Sequence, residues 1–240
     1  MNLRLFGVLV GLFIGLGSPL AKAQGEEALV EIRTIDDVYS SYRERRGTHG
    51  ILFGLLYENY YPDALISMID EATYSDMFGD SPVGLTGFEI GYKYNFFLGS
   101  LSAIYGYSLG QISDSNIGEE RSLEINRNAL KLMYVADRIM PEPYVAPYVG
   151  VGVWDFGLVE RAGDADEFTG QTKIGNSVTI GFLVQLNWIE PFSAREAYMS
   201  SGLENTYLDF FMTQLSNTTS EEDPTTRTSF DWGAGLRLEF

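Results

Sequence analysis

The chain has 240 residues, a formal net charge of −17, 45% hydrophobic residues and no cysteine. That balance argues against nucleic-acid binding, which needs clustered Lys and Arg, and it removes disulfides and thiol chemistry. Its size after any leader fits one domain.

The first 23 residues read as a cleaved export signal. Arg4 supplies a basic start, Leu5 to Leu16 is apolar except for glycines, and Ala21-Lys22-Ala23 is a small-x-small cleavage site before Gln24. The apolar run is too short for a comfortable membrane helix. Arg4 and Lys22 are among the 16 basic residues, while none of the 33 acids lies in the leader, so the mature chain is more acidic still. Residues 24–48 are expected to form a short periplasmic helix. Thr34-Ile35-Asp36-Asp37 would cap it, Arg43, Arg45 and Arg46 would lie near its C-terminus, and Gly47 would stop it. Those arginines would either touch anionic lipid or serve the helix end.

Residues 49–240 are expected to cross a membrane as strands, since no later segment is apolar over a helix-spanning length. Eight strands are predicted: Gly50–Tyr61, Gly84–Phe97, Ser100–Gln111, Ser122–Ala136, Ala146–Leu158, Gly175–Trp188, Thr206–Leu215 and Thr226–Phe240. Their signal is period-two alternation. In the last, Phe230, Trp232, Ala234, Leu236, Leu238 and Phe240 alternate with Asp231, Gly233, Gly235, Arg237 and Glu239. Two strands change parity, near Arg127–Leu130 and Trp154–Phe156. A bulge would do that, and so would a misassigned strand.

The connectors alternate in character. Pro62 to Pro82 is long and acidic, and its apolar part, Ala64–Phe78, is expected to fold over the barrel mouth. Leu98-Gly99 is a tight turn. Ser113–Arg121, Glu160–Gly170 and Ser216–Thr225 are further loops, the last containing Glu221-Glu222-Asp223. Long loops at one end and short turns at the other suit an up-and-down membrane barrel with both termini on the turn side. Glu190–Asn205 is long where a short turn is expected. Ser193-Ala194-Arg195-Glu196 reads as a capping box and Gly202 as a stop, giving a second periplasmic helix. The two helices could pack beneath the barrel, or the first could plug it.

Alternation alone also suits a soluble barrel; the direction of the apolar face separates the two. Aromatics near strand ends (Tyr57, Tyr60, Tyr61, Tyr92, Tyr94, Phe96, Trp188, Trp232, Phe240) favour an outward apolar face. The opposite face then points into a lumen narrow enough for side chains to fill. Its candidates are Glu58, Glu89, Lys93, Gln185, Asn187, Asp209, Asp231, Arg237 and Glu239. Buried there, the charges must pair. Glu89, Lys93, Asp231, Arg237 and Glu239 form the expected structural network.

The ending Trp232-x-x-x-Leu236-x-Leu238-x-Phe240 resembles the C-terminal signature of bacterial outer-membrane barrels, and Pro147 to Val153 is similar to fifth strands of OmpA-like and OmpW-like eight-stranded families. The resemblance covers about His49 to Phe240. It implies an all-β, eight-stranded antiparallel transmembrane barrel in the outer membrane, as a monomer. Trp232, Leu236, Leu238 and Phe240 would be the assembly signal read by the barrel-assembly machinery, with periplasmic chaperones as partners in biogenesis. Membrane lipids and lipopolysaccharide would be its surroundings. With the last strand ending at Phe240, the periplasmic peptidoglycan-binding domain that many OmpA-type proteins carry is not expected.

Enzymatic barrels of this kind generally use a histidine. The sequence has one, His49, placed where strand one begins and far from the loop end, so an interfacial or turn role is expected. No His or Cys spacing suits a metal, no cofactor is implied, and no catalytic residue is assigned. The loop acids either bridge divalent cations to lipopolysaccharide phosphates or keep the surface soluble. The expected function is non-enzymatic, structural or at the cell surface. A narrow gated solute channel and an adhesin acting through the acidic loops are the alternatives.

Overall fold

The structure is a computed structural model. It describes residues 40–240 except 63, 115–119, 164–165 and 221–222, all within the compact unit Ile35–Phe240. The leader and most of the N-terminal segment, including the predicted cap at Thr34, lie outside the described residues.

In chain order the elements are α1 (Tyr42–Arg45), β1 (His49–Tyr60), α2 (Tyr74–Phe78), β2 (Val83–Phe96), β3 (Gly99–Asp114), β4 (Arg121–Val135), β5 (Val145–Ala162), β6 (Asp166–Gln171), β7 (Gly175–Gln185), α3 (Pro191–Ser201), β8 (Asn205–Thr218) and β9 (Asp231–Glu239). Apart from β6 and β7, which both pair with β5, consecutive strands pair antiparallel, and the ring closes where β9 pairs with β1. The nine strands found among the described residues fill eight positions, because β5 pairs with β7 along its inner part and with β6 along its outer part. β6 and β7 are thus one interrupted barrel strand. β6 lies where the sequence suggests the loop Glu160–Gly170.

The inner end carries α1, α3, the short turns and Phe240; the outer end carries the long loops. Over most of the barrel the polarity is inverted. Phe53, Leu55, Phe88, Ile90, Val149, Val151, Ile180 and Leu236 are exposed outward, while Glu89, Lys93, Asp209, Arg237 and Glu239 are buried within. No helix among the described residues is long and apolar enough to cross a membrane; the strands present the apolar exterior a bilayer requires.

At the outer end the polarity reverts. On β4 the inward residues Leu123 and Ile125 are apolar and buried, while Glu124, Asn126 and Asn128 face outward. On β5 the buried Trp154, Phe156 and Leu158 oppose the outward Asp155 and Arg161. The suspected parity changes at Arg127–Leu130 and Trp154–Phe156 are therefore neither bulges nor misassigned strands. The β4–β5 register runs unbroken from Arg121↔Ala162 to Val135↔Tyr148. What changes is the surroundings: both strands leave the apolar layer at the same level, where Asn128 pairs with Asp155. Among the described residues a register irregularity lies between Gly175 and Ser177, against β8.

Two further expectations need correction. The last strand begins at Asp231, not Thr226, because Thr226 and Thr228 are buried while Phe230 and Trp232 are exposed, so the even positions change sides. Helix α3 begins two residues before Ser193, with Glu190 as N-cap and Pro191 in its first turn. Pro lacks the N–H that a first turn leaves unpaired and so fits there. Gly202 does end the helix, with φ +77°, a left-handed conformation that favours glycine. Helix α1 is a single turn capped at Ser41, whose backbone N–H donates to Glu44 Oε2 at 3.1 Å.

Candidate functional site: a filled lumen

The inward side chains form tiers along the barrel axis. At the inner mouth Lys93 Nζ lies 2.6 Å from Glu239 and 2.8 Å from Asp137. Tyr42 of α1, fully buried, accepts from Lys93 at 2.8 Å and donates to Glu239 at 2.8 Å. Arg46 reaches Asp137 at 2.7 Å and donates to the carbonyls of Phe96 and Gly99. Burial opposes ionisation of Asp137, yet Lys93 and Arg46 outweigh it and hold the carboxyl below its ordinary range. Burial, then Glu239 and Asp137, raise the Tyr42 phenol, which stays neutral and able to donate. Arg45 pairs with Glu204 at 3.4 Å and stacks over Tyr198 of α3 at 5.6 Å. Arg45 and Arg46 thus turn into the mouth and are not available to lipid, whereas Arg43 is exposed. The N-terminal turn occupies the mouth, and α3 packs beside it.

The middle tier centres on Arg237, which contacts Asp209 at 2.7 Å and Glu89 at 2.9 Å. Lys131 reaches Glu89 at 3.0 Å, and Tyr148 donates to Asp209 at 2.8 Å. Farther out, Arg127 grips Glu58 through both terminal nitrogens, at 3.1 and 2.5 Å. A cavity of about 30 Å³ touches both tiers and is lined by Ser108, Ser177, Thr179 and Thr213. It is roomy enough for a water or two.

Beyond Arg127 the lumen turns apolar. Val83, Leu85, Leu123, Ile125, Trp154, Phe156, Leu158 and Leu215 pack with Leu65, Tyr74, Met77 and Phe78 from the loop between β1 and β2. That loop folds over the mouth, as its apolar content suggests. Tyr60 joins this core, so it is not an interfacial aromatic. Three polar contacts fasten the lid: Asp70 pairs with Arg121, Ser67 Oγ donates to Glu160 at 2.6 Å, and the Met68 N–H donates to the same carboxylate at 3.0 Å. Arg121 holds the Asp70 carboxyl well below the usual range.

The five predicted network residues all face inward and are buried. Lys93 and Glu239 meet in one tier and Glu89 and Arg237 in another, while Asp231 stands apart near the outer end. Gln185 faces inward and donates to Asn205 at 2.5 Å, but Asn187 lies beyond β7 and bonds the Glu204 carbonyl at 3.0 Å. The sequence reading missed Tyr42, Asp137, Lys131, Arg127 and Tyr148. Arg127 and Lys131 carried a usable signal, the odd-position parity of β4; Tyr42 and Asp137 lie outside the strands and carried none.

Trp232 and Leu236 are exposed on the outer face, and Phe240 closes the seam. Its N–H donates to the Ile51 carbonyl at 2.9 Å, its own carbonyl accepts from Ile51 at 2.8 Å, and its ring meets Phe53 edge-on at 5.9 Å. His49 is exposed at the inner rim, hydrogen-bonded to the Tyr92 hydroxyl and 5.6 Å from the Tyr94 ring. Among the described residues no group of three or more His, Asp or Glu side chains is placed to hold a metal ion.

No family model matches the sequence, and no curated protein matches it. Solved structures do match in fold. Neisserial surface protein A is 14% identical, covers 81% of this chain and 98% of its own, and gives a TM-score of 0.46. The outer membrane protein OprG from Pseudomonas aeruginosa is 14% identical with 81% and 97% coverage and a TM-score of 0.47. Ail, the attachment invasion locus protein of Yersinia pestis, is 12% identical with 80% and 97% coverage and a TM-score of 0.42. By its own strand order, closure and inverted polarity, the chain has the fold of an eight-stranded outer-membrane β-barrel.

Proposed function

We propose that this is a non-enzymatic outer-membrane protein with a structural or cell-surface role, exported through the Sec route by residues 1–23, which are cleaved off in the process, and working as a monomer. The observation that carries this reading is the filled lumen. Paired charges occupy the inner and middle tiers, and an apolar lid occupies the outer one. A solute path would have to break both. In planar bilayers the folded protein is therefore expected to be electrically silent; steady single-channel conductance would overturn the reading in favour of a gated channel.

A surface-recognition role is the second reading, favoured by the strands that continue past the apolar layer and by the acids Glu71, Asp76, Asp80 and Glu167 at that end. Lipid and lipopolysaccharide contacts follow from the exposed apolar band. The outward row Trp232, Leu236, Leu238 and Phe240 is proposed as the segment that the barrel-assembly machinery engages. Replacing Phe240 with Ala keeps the backbone seam but removes the ring against Phe53. Outer-membrane levels should fall while transport across the inner membrane continues, as read by fractionation and heat-modifiable gel mobility. Normal levels of that variant would remove Phe240 from the signal.

A further inference from the structure

Helix α3 joins β7 to β8 at the inner end, where the β2–β3 connector is a tight turn and the β4–β5 connector, residues 136–144, carries no helix. One side of it faces the mouth. Pro191, Ala194, Arg195 and Tyr198 line a cavity of about 410 Å³ shared with Arg45, Glu142 and Glu204. Tyr198 is buried there, under Arg45. Phe192 and Met199, two turns apart and so on one stripe, lie roughly a quarter-turn round from that side at 100° per residue. Both are exposed, Phe192 to 74%.

The segment leading into the helix shares this property. The lipid-facing row of β7 runs through Val178, Ile180, Phe182 and Val184; the strand ends at Gln185, and the turn that follows it carries Trp188 and Ile189. Trp188 is 57% exposed and Ile189 61%. The chain then turns, with the Ile189 N–H donating to the Leu186 carbonyl at 2.9 Å, and reaches Phe192. Large exposed apolar residues also tip the neighbouring turns: Phe97 and Leu98 between β2 and β3, and Ile139 and Met140 between β4 and β5. Four large apolar side chains grouped in water form a patch that soluble surfaces rarely carry.

We propose that α3 is an interfacial anchor: Trp188, Ile189, Phe192 and Met199 sit at the boundary between head groups and acyl chains of the inner leaflet, while Tyr198 holds the helix against the barrel mouth. The occupant is phospholipid because the exposed apolar residues Trp188, Ile189 and Phe192 follow directly on the strand whose outward row Val178, Ile180 and Phe182 faces lipid. The helix carries two charges, Arg195 and Glu196. Their long side chains can reach the head groups while the apolar stripe stays buried. The helix thus couples the inner-mouth seal, through Arg45 and Tyr198, to the depth of the barrel in the bilayer. This inference rests on the membrane-spanning reading.

The chain has no cysteine, so single-cysteine spin labels can test the anchor directly. Phe192→Cys, Ile189→Cys and Met199→Cys would be folded into phosphatidylethanolamine–phosphatidylglycerol vesicles, with heat-modifiable mobility checking the fold of each. Leu236→Cys serves as lipid control and Asp223→Cys as water control. Oxygen should relax the α3 labels several-fold more effectively than a nickel chelate does, as at Leu236→Cys. Chelate-dominated relaxation at these sites, with Leu236→Cys still reading lipid, overturns the anchor alone. Protection from both reagents also overturns it and points to a protein surface, a second copy included. Chelate access at Leu236→Cys would instead overturn the membrane-spanning reading. If one α3 variant fails to fold, the other two carry the same test.

Discussion

Replacing Arg237 with Met should lower the unfolding free energy by about 3–5 kcal/mol, the usual cost of removing one partner from a buried ion pair. Arg237 is 3% exposed and bridges Asp209 and Glu89. Without it, Glu89 keeps Lys131, whereas Asp209 keeps only the Tyr148 hydroxyl among these contacts. The loss should therefore fall mainly on Asp209. Adding Asp209→Asn to Arg237→Met should recover much of the stability, because no unpaired charge then remains in that tier. Equilibrium urea unfolding from lipid vesicles measures both variants. A loss below about 1 kcal/mol for the single variant would place the pair in the range of solvated surface bridges, and the tier would not be dry.

The second large effect should come from Trp154→Ala, at about 3–5 kcal/mol for a buried aromatic. Trp154 fills the floor of the outer core, meets Phe156 at 4.5 Å with the rings tilted by 40°, and donates its indole N–H to the Asn176 carbonyl at 3.0 Å. Its ring lies so close to Gly175 that a Cβ there would approach it to 2.3 Å, so the opposite strand has no room for a side chain. Truncating Trp154 leaves a cavity under the lid residues Tyr74, Met77 and Phe78. Lower stability should then appear together with faster protease cleavage of the loop at residues 62–82. A destabilised variant whose loop stays resistant would mean that the lid is held by Arg121 and Glu160 without help from the core.

The strands were legible where the bilayer imposes one rule. In β1, β2 and β3 the outward face is mostly apolar, while the inward face carries charged, hydroxyl and glycine residues together with the buried aliphatics Leu52, Val83, Leu85 and Ile104, and their observed starts fall within one residue of the alternation. The rule fails where the strands leave the apolar layer. Arg121, Leu123, Ile125, Arg127, Lys131, Met133 and Val135 keep one inward parity through β4, yet the outward face changes along the strand from Glu124, Asn126 and Asn128 to Leu130, Leu132 and Tyr134. A bulge would have disturbed the pairing of one strand. Here β4 and β5 switch together at paired positions, which is the sign of a change of solvent. The inward charges were legible as a set but not as pairs. Glu58 and Arg127 are 69 residues apart, and Arg237 and Glu89 are 148 apart. Closing the ring is what brings them together. Tyr42 and Asp137 lie in segments without periodicity, so only the folded mouth identifies them.

The lumen is closed twice, by unlike materials. Carboxylates, ammonium and guanidinium groups set among a small apolar cluster (Leu52, Ile104, Met133, Leu183) close the inner end; aliphatic and aromatic packing dominates the outer end. What loosens one has little hold on the other, since buried ion pairs feel little of the salt that screens exposed charges and apolar packing answers to temperature and cosolvent. A leak needs both closures open in the same instant. If they open independently, its frequency is the product of two small probabilities, and the barrel can carry a strand-wide polar interior through a membrane without becoming a hole in it.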